Sequence, residues 1–174
     1  MKITILQEKL KEGFGVAERV TSKSLTLPIL NNILVQAKKN FLNLAATDLE
    51  IGINWWTLAK VEEEGSVVIP SQSVLSLVNL FPNKPINIAS KGSIVNIECE
   101  KHKSSLKGLN AEDFPIIPSI SEGETLKVSA SSFCEGLSQV VNIPALSTTK
   151  PEISGIYFIF QGNTIKMVAT DSFR

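Results

Sequence analysis

The chain has few side chains of the kinds that catalyse reactions or bind metals. Its only histidine is His102, and its two cysteines, Cys99 and Cys134, are not arranged as a CxxC pair. A zinc site or a disulfide framework therefore cannot be assembled from this sequence. His102 lies between two lysines in a strand-like pattern, which favours an exposed side chain over a general base. We expect the two thiols to be buried or unreactive.

The acidic and aromatic motifs also favour structural roles. The run Glu62–Glu64 could hold a cation, but consecutive strand residues point to opposite faces, so we expect a solvated turn. Asp48 and Asp171 each follow Ala-Thr between strand patterns, where an aspartate typically bonds nearby backbone amides. Trp55 and Trp56 could stack on bases, yet adjacent strand positions place one ring inward and the other outward. No glycine-rich phosphate loop is present, and we predict a protein that is not an enzyme.

Composition indicates a soluble globular protein. The 174 residues are 43% apolar and 20% charged, with 17 basic and 17 acidic side chains. Zero net charge argues against strong non-specific nucleic-acid binding but leaves room for a local basic face. No stretch approaches the roughly 18 to 20 apolar residues that span a bilayer, and the N-terminus has no signal-peptide core. We expect a cytoplasmic protein without a cofactor or a membrane partner.

The sequence repeats itself at a distance of 123 positions, the separation of Asp48 and Asp171. Residues 1–51 then align without a gap on residues 124–174. The aligned identities are Glu12-Gly13 with Glu135-Gly136, Ser24 with Ser147, Thr26 with Thr149, Pro28 with Pro151, Ile33 with Ile156, Asn40 with Asn163 and Ala46-Thr47-Asp48 with Ala169-Thr170-Asp171. The period is far longer than the roughly 20 to 50 residues of a solenoid repeat, so it indicates a duplicated domain. We expect a first domain at 1–123 and the first half of a second at 124–174, within a longer protein.

Apolar periodicity predicts that each domain has two halves of the order β-α-β-β-β. The predicted first half has strand 2–6, helix 8–20 and strands 27–37, 41–46 and 50–58. The predicted second half has strand 59–70, helix 71–80 and strands 86–89, 93–100 and 103–109. Residues 115–123, with two prolines and a glycine, are the expected linker. The fold class is therefore α+β, with helices on one face of antiparallel sheets.

Five blocks of sequence resemble those of a known family. They are SLTLPILNNILV at 24–35, LAATDLEIGI at 44–53, LNAEDFP at 109–115, PEISGI at 151–156 and VATDSFR at 168–174. As a set, in this order and spacing, they resemble the bacterial DNA polymerase III beta subunit, the sliding clamp. The resemblance covers nearly the whole chain and implies the DNA-clamp fold.

The resemblance also implies a function. Clamps consist of three similar domains, and two chains close head to tail into a ring, with helices lining the hole and sheets forming the rim. The ring encircles double-stranded DNA and acts as a processivity factor. It tethers polymerase and clamp-loader subunits, which bind through short peptide motifs, within a complex that carries polymerase and 3′–5′ exonuclease activities. Contact with DNA is expected to be weak and non-specific, because tight phosphate contacts would hinder sliding.

By the same resemblance, DNA contact is expected from two loops and from the polar face of the first helix. The candidate residues are Lys9, Lys11, Arg19, Lys23, Ser24, Ser147 and Lys150. Ser24 stands where clamps often have a DNA-contacting arginine, which leaves Lys23 to serve. Glu8, Glu12 and Glu18 nearly cancel the basic charges of the helix, and helices 71–80 and 132–142 carry no lysine or arginine.

Two further surfaces follow from the resemblance. The pocket for partner peptides is expected to include Ile153, Thr170, Ser172, Phe173 and Arg174. The ring interface is expected along the edge strand 103–109, with Leu106 as its apolar contact and Ser104 beside it. A fragment without the remaining domains would bind peptides weakly or not at all and could not close the ring. Its unpaired strand edge and half-built second domain would favour non-native association or strand swapping.

Two other classes of function stay open on the residues alone. A ligand-binding or enzymatic α+β protein would show a pocket with convergent polar groups. An interaction module that duplicated without binding DNA would lack a basic helical side. A clamp is instead expected to carry its sparse lysines and arginines on the helical side, opposite the sheets.

Overall fold

The computed structural model describes residues 1–21, 27–118, 123, 125–145 and 149–174. The chain divides into two compact units, Met1–Ser119 and Ile120–Arg174. This division falls a few residues before the boundary at 123/124 expected from the repeat. In the described part of the chain, no helix is both long enough and apolar enough to cross a bilayer.

The first unit has the predicted α+β architecture. Its first half contains β1 (Lys2–Leu6), α1 (Gln7–Glu18), β2 (Asn32–Lys38), β3 (Phe41–Thr47) and β4 (Gly52–Leu58). Its second half contains β5 (Lys60–Glu63), β6 (Gly65–Pro70), α2 (Ser71–Leu80), β7 (Pro85–Lys91), β8 (Ile94–Cys99) and β9 (His102–Lys107). The strands form two antiparallel sheets, of order β4-β3-β2-β6 and β5-β1-β7-β8-β9. The halves therefore share both sheets.

Each half gives its first strand to the sheet of the other half. β1 pairs with β7 of the second half, and β6 pairs with β2 of the first half. The two exchanges have the same register: Leu6 and Ile5 lie opposite Pro85 and Ile86, just as Pro70 and Ile69 lie opposite Asn32 and Ile33. The halves are thus related as the two members of a symmetric pair, although their sequences differ.

The core of the first unit lies between its helices and sheets. The predicted inward face of α1 is buried, with Leu10, Phe14 and Ala17 inaccessible to solvent. Val74 and Val78 of α2 are buried in the same core. The side chain of Gln7 crosses between the helices and donates from Nε2 to the carbonyl of Val78 at 2.8 Å. Apolar burial supplies most of the stability of such a core.

The prediction of one strand at 59–70 is wrong in detail, because the strand is interrupted near Gly65 and forms two strands. Gly65 has a φ of 156°, which lets β5 and β6 join different sheets. The turn expected at Glu62–Glu64 is therefore also wrong, since Glu62 and Glu63 belong to β5. Glu62 forms ion pairs with Lys2 at 2.7 Å and with Lys60 at 3.6 Å. A local pattern cannot show such a break, because it depends on partners far away in sequence.

Three other predicted strands of the first unit are shorter than expected. The strand expected from residue 27 begins as a 3-10 turn, Pro28–Asn31, before β2. The strand expected from residue 50 begins only at Gly52, after a tight turn. The strand expected to end at residue 109 ends at Lys107, and Leu109 bridges to Val68 instead.

The second unit repeats the beginning of the first. It contains α3 (Ala130–Val140), the 3-10 turn Pro151–Ile153, and a hairpin of β10 (Tyr157–Gln161) and β11 (Thr164–Val168). Shifted by 123 positions, these elements coincide with α1, the turn Pro28–Asn31, β2 and β3. Unlike the first unit, the described part of the second unit contains no fully buried residue.

Two helical glycines of α1 provide a matched test of this packing. A Cβ atom on Gly13 would lie 2.5 Å from the ring of Trp55 and 2.8 Å from Leu44, whereas one on Gly15 would meet nothing within 4 Å. Gly13→Ala should lower the free energy of unfolding by about 1–3 kcal/mol through overpacking. Gly15→Ala should raise it by up to about 1 kcal/mol, because alanine favours the helix.

Urea denaturation followed by tryptophan fluorescence measures both changes, since Trp55 and Trp56 lie in this unit. Equal changes in the free energy of unfolding for the two variants would contradict the close packing of Gly13 against Trp55.

Candidate nucleic-acid and partner interfaces

The structure brings three of the predicted DNA-contacting cations together on α1. Lys9 and Lys11 are exposed on the helix, and Arg19 is exposed at the residue that follows it. Lys9 forms an ion pair with Glu12, with Nζ and Oε2 3.0 Å apart. An exposed pair of this kind contributes little to stability, but it reduces the charge that Lys9 presents to a phosphate. The polar face of α1 is therefore nearly neutral.

Of the other predicted DNA-contacting residues, the structure describes one. Lys23, Ser24 and Ser147 fall outside the described residues. Lys150 is exposed and immediately precedes the 3-10 turn Pro151–Ile153 of the second unit. Because α2 and α3 have no lysine or arginine, α1 is the described helix that carries the basic side chains.

For a clamp, we expect the basic side chains to lie on the helical side. In the structure they are not confined to that side. Lysines also occur on the strands, at Lys38, Lys60, Lys91, Lys103 and Lys107. Lys103 pairs across the sheet with Glu98 at 3.0 Å. Charged residues on exposed strands discourage edge-to-edge aggregation, so their position has a structural reason independent of DNA.

The first Thr-Asp motif forms a tight turn between β3 and β4. The Asp48 carboxylate accepts from the amides of Glu50 at 3.0 Å and Ile51 at 2.7 Å. The hydroxyl of Thr47 donates to the Ile51 carbonyl at 2.8 Å and accepts from the Leu49 amide. The Ile51 amide, with a smaller contribution from Glu50, holds the pKa of Asp48 below its ordinary value. The predicted role of Asp48 as a turn former is confirmed.

The second Thr-Asp motif repeats this geometry at the equivalent atoms. The Asp171 carboxylate accepts from the amides of Phe173 at 3.0 Å and Arg174 at 2.9 Å, and Thr170 donates to the Arg174 carbonyl at 2.7 Å. Ser172 has a φ of 77°, close to the 79° of its counterpart Leu49. In addition, Arg174 Nε binds Asp171 Oδ2 at 3.1 Å. The backbone amide of Phe173 is the main cause that lowers the pKa of Asp171.

Four of the five predicted peptide-binding residues therefore lie in one turn. Phe173 is 96% exposed there, and Arg174 is tied to Asp171. The fifth, Ile153, ends a separate 3-10 turn, where its carbonyl accepts from the Ala145 amide at 3.1 Å.

A cavity of about 650 Å³ in the second unit lies elsewhere, and none of the five residues lines it. It is lined by residues 126–129, by α3 and by the β10–β11 hairpin.

The predicted ring contacts lie on an edge strand. β9 pairs with β8 and ends the five-stranded sheet, with Ser104 opposite Ile97 and Leu106 opposite Val95. Leu106 is half-buried and packs against the core of its own unit, so only part of its side chain is available to a partner. β9 therefore offers mainly its free backbone edge to the predicted ring contact.

The remaining reactive side chains occupy structural positions. Cys99 is buried, and its burial raises the pKa of the thiol, whereas Cys134 is exposed. His102 is exposed, with its ring centroid 6.3 Å from that of Phe81. Among the described residues, no three His, Cys, Asp or Glu side chains are placed to hold a metal ion. As predicted, Trp55 packs on the core while Trp56 is 66% exposed.

Sequence reasoning missed the buried polar residues at the starts of the two helices of the first unit. Besides Gln7, these include Ser71, whose hydroxyl donates to the Asn31 carbonyl at 2.9 Å. The sequence predicts Ser71 as the start of helix 71–80 but does not predict its burial. The available signal is that Gln7 and Ser71 occupy equivalent places in the two halves.

The chain matches the family model of the DNA polymerase III beta subunit, N-terminal domain, over residues 1–118. The beta sliding clamp of Synechocystis sp. is 28% identical, covering 100% of this chain and 47% of its own length. A beta sliding clamp homologue of Streptomyces muensis is also 28% identical, over 100% of this chain and 46% of its own. The chain thus spans about half the length of the curated relatives that it matches.

Solved structures agree with this match. A DNA polymerase III beta subunit from Eubacterium rectale superimposes with a TM-score of 0.93 at 26% identity, over 98% of this chain and 47% of that one. A sliding clamp from Bartonella birtlesii, solved bound to griselimycin, gives 0.91 at 26% identity, over 99% and 47%. The predicted fold class and family resemblance are confirmed, and the chain belongs to the DNA polymerase III beta subunit family.

The Thr-Asp turn yields a pH-dependent prediction. Asp48→Ala removes two charge-assisted hydrogen bonds and should lower the free energy of unfolding of the first unit by about 1 kcal/mol at pH 7. Because folding lowers the pKa of Asp48, the stabilisation by its charge is present above about pH 3.9 and is lost as pH falls through the lower folded-state value. Asp48→Asn should lose less than Asp48→Ala.

Urea titrations at neutral pH and near pH 3 measure this effect. The difference in the free energy of unfolding between wild type and Asp48→Asn should be smaller at the lower pH. A difference that grows on acidification would contradict the assigned role of the Asp48 charge.

Proposed function

We propose that this chain is part of a processivity factor, a sliding clamp that encircles duplex DNA as a head-to-tail dimeric ring. The observation that carries the proposal is the family match over residues 1–118 together with clamp-like architecture along nearly the whole chain. The repeated Thr-Asp turn supports it, because the same hydrogen bonds recur 123 positions apart. We propose domains at 1–123 and 124–174, the latter being the first half of a second clamp domain.

In this proposal the clamp itself performs no chemistry. A closed ring stays on DNA by topology, and a tethered polymerase gains effective concentration at its template. The nearly neutral face of α1 suits this role, because each neutralised phosphate strengthens binding and steepens its salt dependence. Arg19, Lys11, Lys23 and Lys150 are the proposed phosphate contacts. Lys9 is the weakest of the helical candidates, because Glu12 pairs with it.

Partners would be recognised at the second Thr-Asp turn. The proposed pocket comprises Thr170, Ser172, Phe173 and Arg174, with Ile153 as a further wall. The Thr170 and Asp171 side chains hold the turn, which leaves Phe173 free to contact an apolar anchor of a polymerase or clamp-loader peptide. The proposed ring contact is the open edge of β9 near Ser104, with Leu106 contributing its exposed part.

The alternatives receive less support. A ligand-binding protein would need convergent polar groups, whereas the cavity of the second unit is lined by a mixture of polar and apolar side chains, with Lys127 as the charged one. An interaction module without DNA is favoured only by the lysines on the strands.

Salt dependence of duplex binding tests the role of α1. Arg19→Ala should reduce the slope of log K against log salt by about 0.9 for one lost phosphate contact. Lys91→Ala, at an exposed position of β7 outside the proposed ring contact, is the matched control and should leave the slope unchanged. Fluorescence anisotropy with a labelled duplex at several salt concentrations gives both slopes. Equal slopes for the two variants would exclude α1 as the DNA-facing surface.

Retention on circular DNA tests the ring. The natural full-length protein that contains this sequence should persist on closed circular duplex after loading. It should dissociate once the duplex is linearised, because the ring is held on DNA by topology. Gel filtration of the loaded DNA before and after cutting measures the difference. Equal loss from circular and linear DNA would reject the ring while leaving family membership intact.

A further inference from the structure

A polar junction joins the end of α1 to the start of α2. Thr21 donates from Oγ1 to the carbonyl of Glu18 at 2.8 Å, and its amide donates to the same carbonyl at 3.2 Å. The Thr21 hydroxyl also lies 3.2 Å from Oγ of Ser71, the first residue of α2. Ser71 is 2% exposed and donates to the Asn31 carbonyl at 2.9 Å. Three separate segments of the chain therefore meet at these two hydroxyls.

The two hydroxyls of the junction share their protons. Each hydroxyl has one proton, whereas the pair makes three contacts within hydrogen-bond distance. The proton of Thr21 can bond the Glu18 carbonyl or the Ser71 oxygen, and the proton of Ser71 has the corresponding choice. The Glu18 carbonyl keeps the amide of Thr21 in either arrangement. The hydroxyls therefore act as one unit, in which each supports the position of the other.

The junction holds the last turn of α1. Helix ends fray, because their last carbonyl groups have no partner within the helix. Here the Val20 amide donates to the carbonyl of buried Ala17 at 3.2 Å, and Val20 itself packs against the core. Thr21 satisfies the Glu18 carbonyl on the other side of the turn. Arg19 lies between these two anchors, so its backbone is held in place.

The held turn keeps the charge of Arg19 available. Side chains on a helix interact with those three and four residues away. For Arg19 these are Val16 and Gly15, which carry no charge, whereas Lys9 has Glu12 at such a distance and pairs with it. Arg19 is exposed and forms no ion pair with any described residue. Unwinding of this turn would let its guanidinium approach the acidic side chains of α1.

We propose that Thr21 and Ser71 are positioning residues, whose hydroxyls fix the end of α1 so that Arg19 presents its charge to a DNA phosphate. This rests on the proposed function, in which α1 faces the duplex. Neither hydroxyl has to touch DNA, and Ser71 is too deeply buried to do so. A fixed backbone reduces the conformational entropy that a long side chain loses when it binds.

Duplex binding by the 174-residue chain tests the role of Thr21. Thr21→Val keeps the shape of the side chain and removes the hydroxyl. It should reduce the slope of log K against log salt towards that of Arg19→Ala, a change of up to about 0.9. Thr21→Ser keeps the hydroxyl and should keep most of the wild-type slope. Fluorescence anisotropy at several salt concentrations gives the slopes.

The same measurement tests Ser71 with a matched control on one helix. Ser71→Ala removes the buried hydroxyl and should also reduce the slope. Ser73→Ala makes the same substitution at an exposed position of α2 and should leave the slope unchanged. Urea denaturation identifies the conditions in which each variant is folded, so that the slopes compare folded proteins.

A double variant separates positioning from a general structural effect. Arg19→Ala removes the charge that the junction would position. Adding Thr21→Val to Arg19→Ala should therefore change neither the affinity nor the slope any further. A further loss in the double variant would show that Thr21 acts through some other group, and would overturn the proposal.

Hydrogen exchange provides a measurement without DNA. Thr21→Val should speed exchange of the Val20 amide by about fivefold relative to the core amide of Ile97, as expected for one lost hydrogen bond. Ser73→Ala should leave the ratio of the two rates unchanged. An unchanged ratio in Thr21→Val would mean that the junction does not hold this turn, and would overturn the proposal.

The salt slopes distinguish failure of this proposal from failure of the proposed function. If Arg19→Ala lowers the slope but Thr21→Val and Ser71→Ala do not, the positioning role is wrong and the DNA-facing role of α1 stands. If Arg19→Ala itself leaves the slope unchanged, the DNA-facing role of α1 is wrong and the positioning role falls with it.

Discussion

The reciprocal exchange of a strand between two β-α-β-β-β halves is the interaction on which this structure depends. A half by itself has one helix over one hairpin or meander and cannot enclose its apolar residues. When β1 and β6 cross into the opposite sheets, residues such as Ile3 and Ile69 become fully buried between two sheets and two helices. Gly65 makes the crossing possible, because its positive φ allows β5 and β6 to join different sheets. Among the described residues of the second unit, which form one such half, none is fully buried.

Local hydrogen bonding is independent of that exchange. The Thr-Asp turns at 47–51 and 170–174 have the same bonds and nearly the same backbone angles, although one unit has a closed core and the other does not. A short turn held by a carboxylate and a hydroxyl needs no distant partner. This explains how a surface that we propose for partner binding can be formed by local hydrogen bonds.

Much of the fold could be predicted from the sequence because it depends on near neighbours. The helical face of Leu10, Phe14 and Ala17, the inward and outward rings of Trp55 and Trp56, and the turn at Asp48 all follow from local periodicity or local hydrogen bonding. Predictions failed where a distant partner decides. The break within 59–70 depends on the pairing of β5 with β1 and of β6 with β2. By contrast, Lys9 and Lys11 could be assigned to α1 from the sequence, because helical periodicity is local.

The repeat of 123 positions, the α+β class and the family could all be recognised from the sequence, because they rest on the order and spacing of residues along the chain. The strands that cross between halves, their register, and the apolar residues that become covered are properties of the folded arrangement. The local sequence of a strand does not specify which other strand will pair with its free hydrogen-bonding edge. The pairing depends on how much apolar area the whole fold removes from water.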